Sequence, residues 1–289
     1  MTKTFHDVFY RSADDLSLYA RDYPGPGPDA PVVLALHGLS RNSRDFADLA
    51  DHLAARYRVI VPDIRGRGLS DYDPEPLNYI PATYVMDMAA LQLHLGVERL
   101  ALIGTSLGGI MAMAMTALNP DAVVGVVLND VGPVVDPEGI ARIQSYVGKT
   151  NPPLSWAEAE EQTRGLNAEI FPDFSPADWY KFTRSLYRED NSYGRERPVL
   201  DYDPLIAQSL AEGDAVPPDL WDLFEALAAK PVLVIRGEMS DILSRDTLAE
   251  MQSRHPGLET VTVPKRGHAP LLTEPVAQSA IDGFLARIF

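Results

Sequence analysis

Gly104-Thr105-Ser106-Leu107-Gly108 places a serine between two glycines, directly after the apolar run Leu100 to Ile103 and directly before Ala- and Met-rich sequence suited to a helix. A G-x-S-x-G segment at such a junction is the pattern of a nucleophile elbow. The serine occupies a strained turn, and only hydrogen-sized side chains beside it let strand and helix pack closely. Its hydroxyl then projects at the carboxyl end of the strand, where amides of the helix N-terminus favour a developing oxyanion. A free hydroxyl is a poor nucleophile, so the chemistry also needs a base and a carboxylate that holds the base in the right tautomer. His268, preceded by Gly267 and followed by Pro270, is the candidate base; His6, His52, His94 and His255 fall in hairpin, helix or surface contexts. Two aspartates follow apolar runs, Asp130 and Asp241, with Glu238 three residues closer to its run.

The elements that must position these groups are legible as short apolar runs. Phe5 to Arg11 and Leu16 to Tyr23 alternate loosely and predict an antiparallel hairpin at a sheet edge, followed by a proline-rich loop, Pro24 to Pro28. Pro31 to Leu36, Arg58 to Val61, Leu100 to Ile103, Ala122 to Leu128, Pro231 to Ile235 and Glu259 to Val263 predict buried strands. Between them, Asp45 to Arg56, Pro81 to Leu95 and Glu274 to Phe289 carry helical spacing. Strand and helix in alternation require a mostly parallel sheet flanked by helices, with reactive groups gathered at the strands' carboxyl ends. Ser106, Asp241 and His268 each lie in a loop after a predicted strand.

Residues 134–229 differ in character: acidic helical segments and proline-containing turns, without strand-like runs, and with all three tryptophans, Trp156, Trp179 and Trp221. The reading is a core of residues 1–133 and 230–289 carrying a helical cap insertion whose aromatics either line a pocket or form a small core of their own. His37-Gly38-Leu39 after the Pro31 to Leu36 run can donate the Leu39 amide to an oxyanion hole shared with that of Leu107, with His37 as a structural residue. Asp63 to Ser70 holds Arg65 and Arg67 among glycines. Without a following G-K-[ST] it is no phosphate loop, and internal ion pairs are expected.

Composition narrows the function. The chain of 289 residues carries 41 acidic and 25 basic side chains, a formal charge of −16, so a phosphate backbone or anionic membrane surface would repel it. The absence of cysteine removes disulfides, thiolate metal sites and a cysteine nucleophile. MTKTFHDVFYRSADD lacks a continuous apolar core and no run approaches membrane-spanning length, so a cytoplasmic protein without nucleic-acid or membrane partners is expected. Self-association into a homodimer is left open.

Five segments together resemble the α/β-hydrolase superfamily over nearly the whole chain: His37 to Leu39, the Asp-x-Arg-Gly-x-Gly-x-Ser turn at Asp63 to Ser70, Gly104 to Gly108, Ser240-Asp241, and Gly267-His268. The order Ser, Asp, His agrees with that family. The resemblance implies an α/β-hydrolase fold with a cap and a triad of Ser106, Asp241 and His268, with Asp241 favoured over Asp130 because its loop precedes the histidine strand. It also implies an enzyme without metal or organic cofactor, cleaving a small or medium carboxylic ester through an acyl-enzyme. Serine at 106 argues against the branches that use aspartate at the elbow. Lactonases, carbon–carbon bond hydrolases and non-catalytic small-molecule binders share these features and remain alternatives. A dicarboxylate substrate would call for a basic cap, which Arg142, Lys149, Arg164, Lys181, Arg184, Arg188, Arg195 and Arg197 could supply.

Overall fold

The computed structural model describes residues 4–191, 196–212 and 219–289. Ten strands lie among the described residues. Strands β1 (His6–Arg11), β2 (Ser17–Tyr23), β3 (Val32–Leu36), β4 (Arg58–Asp63), β5 (Leu100–Thr105), β6 (Val123–Asn129), β9 (Val232–Gly237) and β10 (Glu259–Val263) form one sheet. Its spatial order is β1-β2-β4-β3-β5-β6-β9-β10. β2 runs antiparallel to β1 and β4, and the pairs from β4 to β10 are parallel. The predicted edge hairpin and parallel core are therefore present.

Continuous apolar runs are required because both faces of the inner strands are covered. Along β5, Leu100 and Leu102 point into one core with α2 (Pro81–Leu95) and α3 (Leu107–Leu118). Ala101 and Ile103 point into the other, with α1 (Ala47–Leu53) and α10 (Pro275–Ile288). The period of two along the strand assigns these faces. Pro81 opens α2 at a position where its missing N–H costs nothing, and Gly96 ends it in the left-handed conformation, φ 64°.

Between β6 and β9 the chain forms α4 (Pro137–Tyr146), α5 (Trp156–Asn167), α6 (Pro176–Leu186), α7 (Ile206–Glu212) and α8 (Trp221–Glu225). It also forms a hairpin, β7 (Tyr187–Asp190) with β8 (Arg197–Leu200), which the sequence reading of this region as strand-free did not anticipate. Four-residue strands with Arg, Glu, Asp and Pro at most positions carry no apolar run to betray them. Trp179 joins Ile170, Phe171 and Phe182 in a small separate core, whereas Trp221 and Phe224 of α8 pack into the main core against α3.

The turn after β4 holds its charges in two ways. Arg65, essentially buried, bridges Asp87 (2.7 Å), Asp73 (2.5 Å) and Asp14 (2.8 Å). Asp63, expected in the same ion pairs, instead accepts the backbone amides of Ser43 (2.5 Å) and Leu69 (2.9 Å). Burial opposes the charge of Arg65, but the three carboxylates outweigh it and hold its pKa above the usual range. Hydrogen bonding to Arg65 lowers Asp14 to about 2. Its contribution to stability is complete above the ordinary carboxylate range near pH 4 and disappears as pH falls through 2. Arg65→Met leaves Asp73 and Asp87 buried without their cation, and should destabilise the fold by about 3–5 kcal/mol in urea denaturation at pH 8. The loss should shrink toward pH 5, as Asp87, whose carboxyl burial pushes up, takes a proton.

Candidate active site

Ser106 sits at φ 53°, ψ −117°, between the last residue of β5 and the first of α3. That conformation is strained for a residue with a side chain and persists only because its surroundings fix it. A Cβ at Gly104 would lie 2.3 Å from the Gly108 carbonyl oxygen, and one at Gly108 would lie 2.1 Å from that of Leu36. The two glycines thus let β5, α3 and the end of β3 meet, and the serine is expelled to the tip.

His268, in the loop after β10, brings Nε2 to 2.9 Å from Ser106 Oγ. Its Nδ1 lies 2.8 Å from Asp130 Oδ2. The hydroxyl can therefore donate to Nε2 while Nδ1–H donates to the carboxylate. Asp130 is fully buried and is satisfied by two further donors, the Gly237 amide to Oδ1 (2.7 Å) and Ser240 Oγ to Oδ2 (2.7 Å).

The carboxylate beside the histidine is thus Asp130 and not Asp241, which corrects the assignment implied by the resemblance. Asp130 follows β6 without an intervening residue, and β6 lies between the serine strand β5 and β9. Asp241 follows the end of β9 by four residues, and its carboxylate is turned to α4, where Arg142 Nε and Nη2 donate to it at 2.5 and 2.9 Å. Burial works against its charge, but Arg142 outweighs it and lowers the Asp241 carboxyl below the usual range. Glu238 is structural as well, accepting the Lys265 amide at 2.9 Å. Together with the Met239 amide, which donates to the Arg266 carbonyl (2.9 Å), this ties the loop after β9 to the one that carries His268.

The amides of Leu39 and Leu107, expected to form an oxyanion hole, donate to no protein acceptor among the described residues. His37 is buried with its Nε2 accepting the Ile64 amide (3.1 Å), which leaves Nδ1–H to donate to the Gly38 carbonyl (2.8 Å). Because a trans peptide is planar, pinning the Gly38 oxygen to one side aims the Leu39 N–H to the other. Arg67 Nε holds the Leu39 carbonyl at 2.9 Å. Burial drives the His37 pKa down to about 3, so its ring stays neutral and the tautomer is kept.

These groups open on a cavity of about 130 Å³ between the sheet edge and the insertion. Its walls include Leu39, Ser106 and His268 from the core, and Tyr146, Phe171, Phe182, Tyr187 and Tyr202 from the insertion. None of the three tryptophans lines it. Nor do the basic residues read as a basic cap. Arg142 is held by Asp241, Arg164 by Glu160, Lys181 by Asp48 and Arg188 by Asp201. Arg184 lies over Trp156, Lys149 is exposed, Arg197 is engaged elsewhere, and Arg195 falls outside the described residues. The guanidinium that does line the cavity is Arg41, two residues beyond Leu39. It was legible only as one more polar residue of a loop.

Among the described residues no helix is long and apolar enough to cross a membrane, and no group of three or more His, Asp or Glu side chains is arranged to hold a metal ion.

Residues 31–275 match the family described as the alpha/beta hydrolase fold. A 3-hydroxybutyrate-oligomer hydrolase of Cupriavidus necator is 36% identical over 260 residues, 86% of either chain. A 2-(acetamidomethylene)succinate hydrolase of Mesorhizobium japonicum is 30% identical over 88% of either chain. The crystal structure of an alpha/beta hydrolase from Novosphingobium aromaticivorans superposes with a TM-score of 0.93 at 43% identity, covering 99% of this chain and 100% of that one. With an elbow serine, a histidine in contact with it and a mostly parallel sheet beneath both, the chain belongs to the α/β-hydrolase family.

Proposed function

We propose that the protein is a serine hydrolase that cleaves a short carboxylic ester through an acyl-enzyme, with Ser106, His268 and Asp130 as its triad. The observation that carries this reading is the continuous hydrogen-bonded relay from Ser106 Oγ through the imidazole to a buried carboxylate, at the wall of a cavity. Ser106 Oγ attacks the ester carbonyl while His268 Nε2 takes its proton. Asp130 keeps Nδ1 protonated and stabilises the imidazolium. The tetrahedral oxyanion is received by the Leu39 and Leu107 amides. His268 then returns the proton to the leaving alcohol, and a water attacks the acyl-enzyme by the same path in reverse. The small cavity suits short acyl and alcohol parts, and similarity to a 3-hydroxybutyrate-oligomer hydrolase supports esters of short hydroxy acids as the substrate class.

Hydrolysis of p-nitrophenyl esters from acetate to laurate, by wild type and Ser106→Ala side by side, tests the mechanism. The wild type should favour the short chains with a burst, and the variant should show neither burst nor turnover. Asp130→Asn should lower kcat on the order of 10⁴-fold. Asp241→Asn, which removes only a partly exposed pair with Arg142, should stay within about tenfold of wild type. The reverse ranking would restore Asp241 as the acid. His37→Ala frees the Gly38–Leu39 peptide to turn, so kcat should fall by up to about 10²-fold with little change in KM. An unaltered kcat would show that the Leu39 amide is held without it.

A further inference from the structure

Arg41 is placed to do more than stabilise its loop. A Cβ built on Gly38 would lie 3.5 Å from Arg41 Cγ and 3.8 Å from Ser106 Cβ, so the stems of the two side chains flank the same point at the cavity wall. One edge and one face of the guanidinium are accounted for. Nε donates to Asp45 Oδ1 at 2.8 Å, and Nη2 donates to the same oxygen. One face of the plane lies over the Phe182 ring from α6, 4.5 Å from its centroid. Nη1 has no protein acceptor among the described residues, so the end-on edge of the fork, Nη1 with Nη2, is left to face a further acceptor. Tyr146 of α4 lines the same cavity, and burial raises its phenol pKa, so it remains a neutral donor beside Arg41.

A planar fork with one edge already fixed by an aspartate and its face held by an aromatic ring is pre-organised for a planar anion of matching geometry. We infer that Arg41 is the anchor for a free carboxylate on the substrate, so that the preferred esters carry an acid group: the end of a hydroxy-acid oligomer, or the half-ester of a dicarboxylic acid. This rests on the ester hydrolysis proposed above and names its substrate class. The chain's formal charge of −16 gives no long-range attraction for such a molecule, so the preference must arise from this local contact and appear in KM. Asp45 is paired with the arginine, and a substrate carboxylate completes an Asp–Arg–carboxylate row in which the cation is shared.

The test pairs esters that carry or lack a free carboxylate. On the acyl side, mono-p-nitrophenyl glutarate is compared with p-nitrophenyl butyrate; on the alcohol side, 3-butyryloxybutyrate is compared with its methyl ester. Wild type should show a lower KM for the anionic member of at least one pair. Arg41→Gln should raise that KM by about 10- to 100-fold and change the neutral KM by less than about threefold, with Arg41→Lys in between. The side on which the effect falls locates the carboxylate relative to the scissile bond. Equal effects on neutral and anionic esters would mean that Arg41 only shapes the Leu39 loop, and no effect would mean it touches neither; either result overturns the inference. Binding of glutarate and butyrate to Ser106→Ala, read as a shift in Tm, separates this outcome from failure of the proposed reaction. If no ester turns over yet glutarate, and not butyrate, stabilises Ser106→Ala, and adding Arg41→Gln abolishes that shift, the anchor stands and the ester mechanism falls. If glutarate gives no Arg41-dependent shift and no ester pair is discriminated, the anchor falls.

Discussion

A carboxylate removed entirely from water must have its charge satisfied by donors, and at Asp130 that requirement organises the site. Its donors come from three places distant in sequence: the Gly237 amide at the end of β9, the Ser240 hydroxyl in the loop beyond, and the His268 ring after β10. Ser240 Oγ also accepts the amides of Ile242 and Leu243 at 3.2 and 3.0 Å, so the loop is folded around the oxygen that donates to Asp130. Gly237 is required for a separate reason. A Cβ there would lie 2.5 Å from the Gly267 carbonyl oxygen, and the base loop could not come so close to the strand. The histidine is brought to the serine because the carboxylate holds it from behind.

A second layer of buried charge stands behind the loop of Leu39. Arg67 has no carboxylate partner among the described residues; its guanidinium is held by the carbonyls of Leu39 and Arg65 and lies 4.9 Å from the centroid of Tyr84 and 5.7 Å from that of Tyr79. Arg65 beside it balances three aspartates. Two arginines either side of Gly66 therefore serve different ends, one neutralising acids from elsewhere in the chain and the other holding the Leu39–Ser40 peptide, next to the one that His37 pins. Neither lines the cavity.

Much of this was legible in the sequence, and the parts that were not have definite causes. Ser106 and His268 stood out because steric and chemical demands restrict their neighbours to glycine, and the buried parallel strands because they are apolar on both faces. The choice between Asp130 and Asp241 turned on which carboxylate the third dimension delivers. Both follow strands, but the one at the strand's tip reaches the histidine, and the one four residues on is drawn off by Arg142. The β7–β8 hairpin was invisible because its polar strands pair with each other outside the main sheet. Trp221 was read as part of the insertion because it precedes β9, yet α8 has already returned to the core. Arg41 was missed because nothing in a single arginine distinguishes a solvated side chain from one stacked beneath a phenylalanine that lies more than a hundred residues away.

The aspartate that is not beside the histidine still has a place in the arrangement. Asp241 and Ser240 are adjacent, one turned to the insertion through Arg142 and the other to the buried acid through its hydroxyl. Helix α4 lies so close to this loop that a Cβ on Gly139 would come within 2.3 Å of the Asp241 carbonyl oxygen. The insertion is thereby fastened to the segment that completes the hydrogen bonding of Asp130. From the other side it lays Phe182 over Arg41. Ser106, His268 and the Arg41 fork at the cavity wall come from the core, while aromatic residues of the wall come from the insertion. Substitutions among Tyr146, Phe171, Tyr187 and Tyr202 can therefore reshape what fits without disturbing the relay, whereas changes in the loop from Gly237 to Leu243 act on the relay and the seating of the insertion together.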